Sequence, residues 1–386
     1  MAKVLKFPKG FLWGTATSAY QVEGGIKNSD WSQVYPAGIA CDHYNLYKED
    51  FDLTKKLNQA AFRFSIEWSR IEPKEGFFDV DEIEHYRKIL EALKSRGIKT
   101  MVTLHHFTTP MWLAKIGGFA NRKAVFYFSR FAQRLFNEYQ DLVDFWITLN
   151  EPLIYASNSY LLGIWPPKNK NLILFLKVIK NQIASHKKIY EIFHRLNPNI
   201  KVGNAEGYCF FEPFNPRSLL DKFSVKILHY FWNEYSLNKI KNYLDFIGLN
   251  YYHHNKIKFP FRNKNENKVV SDIGWEIYPQ GIYYVLKELK KYQKPIYITE
   301  NGVADAKDTK RKDFIKDHLF WVHKAISEKA NVRGYFHWSL IDNFEWGKGF
   351  GPRFGLIEID CKTLERKPRP SAFYYSEICK NNSFGI

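Results

Sequence analysis

Several protein classes are excluded by what this chain lacks. No run of about 18 apolar residues occurs, the length a membrane-spanning helix needs. The longest candidate, Leu172 to Leu176, is broken at once by Lys177. The opening MAKVLKFPKGFLWG has no apolar core of about 7–15 residues, so no secretory signal is expected. No Pro/Gly/Ser-rich linker, low-complexity tract or short-period repeat divides the 386 residues, and a single domain, 1–386, is expected. The four cysteines, Cys41, Cys209, Cys361 and Cys379, show no CxxC spacing and read as reduced thiols of a cytoplasmic protein. Zinc-protease HExxH, the phosphate loop, dinucleotide-binding GxGxxG and the GxSxG nucleophile elbow are all absent. The pairs His105-His106 and His253-His254 cannot chelate one ion from a strand, because neighbouring strand residues point to opposite faces. No metal or cofactor is expected.

What the chain has in quantity is apolar surface, aromatics and positive charge: 45% hydrophobic residues, 17% aromatic, and a formal net charge of +17. Such a charge invites a nucleic-acid or membrane partner. The basic residues are interleaved with acids, however, and the densest basic stretches, Lys256 to Lys268 and Lys362 to Arg369, fall between predicted core elements. They read as a solvated, lysine-rich surface, so no nucleic-acid or membrane partner is expected.

Hydrophobic periodicity yields strands beginning near Gly10, Ala60, Lys99, Asp144, Lys201, Asp245, Pro295 and Val332, each followed by a helical stretch. Examples of those helices are 42–57, 81–95, 122–139, 172–196, 279–292, 308–329 and 370–379. Alternation of strand and helix implies a parallel sheet. Eight units in one chain of this length imply a closed α/β barrel, the (β/α)8 or TIM architecture, with its site at the C-terminal lip.

Two strands share one design. PIYITENG delivers Glu300 from a β-branched and aromatic run and turns at Asn301-Gly302. DFWITLNEP delivers Asn150 and Glu151 in the same way. Two carboxyls facing each other across one lip are the working parts of glycoside hydrolysis. Further polar and aromatic groups recur at strand ends: Gln21, Arg63, His106, Glu206, Asn250, Tyr252 and Trp338. Glu67, Glu72 and Glu75 read as surface charges and Glu23 as a turn residue.

The motifs FPKGFLWGTATSAYQVEG, FRFSIEWSRI, NEP, GLNYY, ITENG, WSLIDNFEW and RFGL follow one another over nearly the whole chain. In that order they resemble glycoside hydrolase family 1, the retaining β-glycosidases. The resemblance implies Glu151 as general acid/base and Glu300 as nucleophile. It implies Gln21, His106, Asn150, Asn250, Tyr252, Glu345 and Trp346 as sugar-binding residues, Trp338 as the platform under the ring, and Arg63 and Tyr252 as supports of the nucleophile. The substrate implied is a small β-glycoside, and the oligomeric state is left open.

The chain departs from the family where the leaving group would lie. The segment WSQVYPAGIA after Asp30 is compressed, the loop between Glu206 and Asn250 is trimmed, and HHFTTP puts His105, Phe107, Thr108 and Thr109 after the third strand. Two other readings stay open at this point. One is a 6-phospho-β-glycosidase, disfavoured by Glu345 in the FEW motif, where such relatives resemble one another in carrying a small residue. The other is a non-catalytic basic barrel that binds a polyanion.

Overall fold

The structure, a computed structural model, describes residues 4–386. Its centre is eight strands: β1 (Leu12–Ala16), β2 (Ala61–Ser65), β3 (Lys99–His105), β4 (Phe145–Asn150), β5 (Val202–Pro213), β6 (Phe246–Lys258), β7 (Ile296–Asn301) and β8 (Val332–Trp338). All neighbours are parallel. β8 returns to β1 with Gly334 opposite Leu12, and β5 meets β6 with Gly203 opposite Phe246, so the sheet closes on itself. The expected (β/α)8 barrel is what forms.

The enclosing helices are α1 (His43–Lys56), α2 (Val80–Ser95), α3 (Lys123–Tyr139), α4 (Leu172–Leu196), α5 (Leu219–His229), α6 (Gln280–Leu289), α7 (Arg311–Ser327) and α8 (Pro370–Asn381). Strand side chains alternate between two cores. Ala61, Met101, Phe145, Ile147, Ala205, Phe246, Tyr297 and Phe336 fill the barrel interior. Neighbours such as Phe62, Val102, Trp146 and Ile298 pack outward against the helices. The interior is tight: a Cβ on Gly203 would lie 2.5 Å from the Phe246 ring.

Boundaries follow capping chemistry. α2 begins before the expected Asp81, because Asp79 is the cap, its carboxylate accepting from the amides of Asp81 and Glu82. α4 is capped by Asn171, which accepts from Ile173 N and Leu174 N. β5 and β6 run well past the expected ends, standing above the barrel as its lip. Val4–Lys6 pairs antiparallel with Ser383–Gly385, and Ile357–Ile359 with Arg366–Pro368; periodicity showed neither pairing. Among the described residues no helix is long and apolar enough to cross a membrane.

Three of the four acids read as surface or turn residues lie inside. Glu23 is buried, accepting from Arg70 Nε at 2.9 Å and Tyr86 OH at 2.7 Å. Glu67 is buried against Ser69 and Thr108, with burial raising its carboxyl above the usual range. Glu72 accepts from Trp68 Nε1 at 3.0 Å, from the Gly76 amide at 2.8 Å and from Arg130. Only Glu75 is exposed. Each buried acid has donors, as burial of a charged group requires.

Candidate active site

Asn150, Asn250 and Glu300 reach the lip through breaks in strand register. Ile147 pairs with Gly203 but Asn150 pairs with Ala205, so β4 carries one residue more than β5 over that interval. Likewise Leu249 pairs with Ile298 but Asn250 with Glu300, an extra residue in β7. A bulge re-aims the side chains beyond it. Thr148 consequently points outward to His186 of α4, while Asn150 points into the barrel.

Arg63 is the hub. The sequence suggested a lip residue, but it sits in the middle of β2, fully buried, and its guanidinium reaches up to the mouth. Its Nη1 donates to Glu300 Oε1 at 2.5 Å and its Nη2 to Asn150 Oδ1 at 2.7 Å, and its Nε donates to Thr103 Oγ1 at 3.3 Å. The other oxygen of Glu300 accepts from Tyr252 OH at 2.6 Å. Burial and the Glu300 charge hold that phenol well above its ordinary value, so it remains a donor.

Glu151 follows β4 in a left-handed conformation (φ 44°, ψ 57°), capping a short helix that starts at Pro152. Asn250 Nδ2 donates to Glu151 Oε1 and to Asn150 Oδ1, each at 3.0 Å, and Asn250 Oδ1 accepts from Thr299 Oγ1 at 2.7 Å. Burial, and then the charge of Glu300, push the Glu151 carboxyl up to about 8. The residue facing it is Gly207, where a Cβ would come within 3.1 Å of its carboxyl.

On the other side, Gln21 Nε2 donates to Asn343 Oδ1 at 2.9 Å and to Glu345 Oε2 at 3.2 Å. Burial, and then Glu300, raise the Glu345 carboxyl to about 8 as well. It therefore holds its proton more tightly than an ordinary carboxyl at neutral pH. His106 Nε2 accepts from Asn150 Nδ2 at 3.1 Å; burial and Arg63 hold the imidazole neutral. Its ring lies nearly parallel to those of Trp338 and Trp346, with centroids 5.9 Å away in each case.

These groups line a cavity of about 650 Å³ that holds Glu151, Glu300, Asn250, Tyr252, His106, Trp338, Glu345 and Trp346 together. Three of the strand-end residues do not line it: Gln21 and Arg63 lie fully buried behind the groups that do, and Glu206 is turned away. Glu206 turns outward, accepting from Asn204 Nδ2 at 2.7 Å on the face toward α4, where burial raises its carboxyl to about 7. Of the HHFTTP residues only His106 and Phe107 reach the cavity. His105 packs against Phe119 and Tyr155, Thr108 donates to Glu67, and the Thr109 amide donates to Asp30. Nor does Asn301-Gly302 make the expected turn. Asn301 stays in β7 and accepts from Tyr335 OH, and a Cβ on Gly302 would lie 1.8 Å from the Trp338 carbonyl oxygen.

The cavity also takes residues that sequence reading missed. Asn343, inside the WSLIDNFEW motif, carries Gln21. Trp165, His253, Trp275, Lys348 and Phe354 complete the wall. Away from it, His229, Glu234 and Glu288 bring three ligand atoms within 4.8 Å of one another, but the Lys291 ammonium already lies 2.5 Å from Glu234 and 3.3 Å from Glu288.

The profile of glycosyl hydrolase family 1 matches residues 4–232 and 216–384. The chain belongs to this family and is a glycoside hydrolase. β-Glucosidase A of Thermotoga maritima is 34% identical over 447 aligned positions, covering 98% of this chain and 99% of that protein. That alignment is longer than the 386-residue chain, so the shortening relative to this enzyme is internal. The 6-phospho-β-galactosidase of Staphylococcus epidermidis is 31% identical, covering 97% of this chain and 98% of its own. The solved β-glycosidase of Pyrococcus horikoshii superposes with a TM-score of 0.94 at 37% identity, covering 99% of this chain and 96% of its own.

Proposed function

We propose that this glycoside hydrolase is a retaining exo-β-glycosidase for small β-glucosides, β-galactosides or related glycosides, with Glu300 as nucleophile and Glu151 as general acid/base. The observation that carries the reading is the unequal treatment of the two carboxyls. Glu300 accepts from a guanidinium and a phenol, leaving it charge-compensated and fixed in direction. Glu151 is raised to about 8, so it holds its proton at neutral pH.

In the first step Glu300 attacks the anomeric carbon while Glu151 gives its proton to the leaving oxygen. Forming the ester removes the Glu300 charge. Glu151 loses one of the causes of its raised pKa, becomes the stronger acid, and can then take a proton from the incoming water. Trp338 offers an aromatic face to the apolar side of the sugar ring. Gln21, His106, Asn150 and Glu345 supply hydroxyl partners. The rest of the cavity, with Phe107, Ile154, Trp165 and Trp275, supports an apolar leaving group. Four free thiols fit a reducing, cytoplasmic setting.

The deciding experiment is ¹H NMR of the first-formed anomer from a panel of chromogenic β-glycosides, run with and without a 6-phosphate. Retention is expected, with a carboxyl separation of about 5–5.5 Å. An inverted first product would refute the mechanism. Faster turnover of the 6-phosphoglycoside would move the reading to the phosphoglycosidase branch.

A further inference from the structure

The exposed apolar side chains around the cavity mouth have no place in the hydrolytic reading. On α5, Leu219 (79% exposed), Leu220 (57%) and Phe223 (56%) form an outward stripe, while Asp221, Ser224 and Leu228 face the protein. On the first turns of α4, Leu172, Ile173 and Leu176 are equally open. Phe214 and Phe259 extend the α5 stripe: the Phe259 amide donates to Asp221 at 3.0 Å, and the Phe214 amide to the Ile257 carbonyl at 2.9 Å.

Both stripes flank the cavity. Its wall includes Ile164 and Trp165 from the segment leading into α4, and Leu228 and Trp232 at the end of α5. The Asn171 amide, at the start of α4, donates to Tyr160 O at 2.8 Å and ties that helix to the same lip.

The charge on this rim is mostly positive. From Pro152 to Lys180 there is no Asp or Glu and there are four lysines. Near Phe259, Lys258, Arg262 and Lys264 add positive charge, while Lys256 is paired with Glu266 and Glu212. Lys222 and Lys226 stand exposed beside the α5 stripe, and Lys177 and Lys180 beside that of α4. Aliphatic and aromatic side chains mixed with lysines on one face are the pattern of a helix that lies in a lipid interface. A second copy of this chain would meet the rim with like charge. For a nucleic acid, the aliphatic members Leu172, Ile173, Leu176, Leu219 and Leu220 offer no stacking platform.

We propose that this rim seats the enzyme on an anionic lipid surface, with the cavity mouth toward the headgroups. The lysine-rich surface that sequence reading treated as solvated is here part of an amphipathic face. The proposal is independent of the assigned chemistry, because docking is read without turnover.

The test is co-sedimentation of the full chain with phosphatidylcholine vesicles, with and without phosphatidylglycerol, at low and high salt. Binding to the anionic vesicles should be roughly tenfold tighter than to the neutral ones and should weaken as salt screens the lysines. The triple variant Leu219→Ser/Leu220→Ser/Phe223→Ser and the double variant Lys222→Glu/Lys226→Glu should each lose most of it while still hydrolysing a small soluble glycoside at the wild-type rate. If the triple variant fails to fold, the double variant, which alters only surface charge, still decides. Equal binding of wild type to both vesicle types, or wild-type binding by the double variant, would overturn the proposal. So would a result in which the variants break an oligomer and leave vesicle binding intact, which would make the rim a self-interface.

Discussion

Trapping the glycosyl-enzyme should change the acidity of Glu151 by an amount that the site's electrostatics predict. In the free enzyme Glu151 is raised to about 8 by burial first and by Glu300 second. That leaves roughly nine-tenths of it protonated at pH 7. A slow 2-fluoroglycoside esterifies Glu300 and removes its charge, while burial persists. One unit charge at about 5.5 Å in an effective dielectric near 20 is worth about 3 kcal/mol, or about two pKa units. Glu151 should therefore fall to near 6 and be mostly ionised at pH 7, ready to act as base. The assay is carboxyl ¹³C NMR of glutamate-labelled enzyme, free and trapped, across pH 4–10. The pH profiles should agree: the alkaline limb of kcat/KM near 8 on poor leaving groups, and reactivation of the trapped enzyme rising through about pH 6. A shift below about half a unit would refute the claim that the Glu300 charge helps set the acidity of Glu151.

Other outcomes follow from the same contacts. Glu151→Ala should slow unactivated glycosides about 10²–10⁴-fold while largely sparing the first step of dinitrophenyl glycosides; equal losses on both would refute the acid role. Glu300→Gly should abolish turnover, and added azide should restore it with an inverted glycosyl azide as product, read by NMR. Glu23→Ala leaves the buried Tyr86 hydroxyl without its acceptor and takes from Arg70 one of its carboxylate partners. It should lower the unfolding free energy by about 3 kcal/mol in a denaturant titration, with kcat little altered because Glu23 does not line the cavity. Glu345→Ser should narrow the preference for plain over 6-phosphorylated glycosides, measured as the ratio of kcat/KM values.

The barrel was legible because each strand is a short apolar run ahead of a helical period, as in DFWITLN before Leu172–Leu196. Positions of the two carboxyls were legible for the same reason: each follows such a run. Orientation was not. A period of two places Thr148 and Asn150 on one face, and only the extra residue in β4 separates them. Burial of Glu23, Glu67 and Glu72 was hidden because their donors, among them Tyr86, Thr108 and Arg130, come from other elements. The walls contributed by Trp165 and Trp275 lie in segments with no helix or strand period to mark them. Glu206 was misread because the strand was expected to end there, whereas β5 runs on to Pro213 and Glu206 faces away from the cavity within it.

Charge accounting explains why such a pocket suits a neutral sugar. Three carboxyls crowd around one guanidinium, and that guanidinium contacts only Glu300 among them. Glu151 and Glu345 are both pushed to about 8 by burial and by Glu300, so each holds its proton more tightly than an ordinary carboxyl. The empty site thus approximates one paired anion and two neutral groups. It neither repels nor strongly attracts a neutral glycoside in the ground state. On the proposed assignment, as positive charge develops at the anomeric carbon the Glu300 carboxylate stabilises the transition state more than the ground state, which is the condition for catalysis. A 6-phosphate dianion finds a different balance. The guanidinium is already engaged with Glu300 and Asn150 at the base of the pocket, leaving Lys348 on the wall as the cation for it. Sugar hydroxyls donating to Glu345 favour its charged form, whereas a phosphate beside it favours the neutral one. Binding a plain glycoside should therefore draw Glu345 toward the carboxylate that accepts the sugar best, and binding a phosphorylated one should oppose that change.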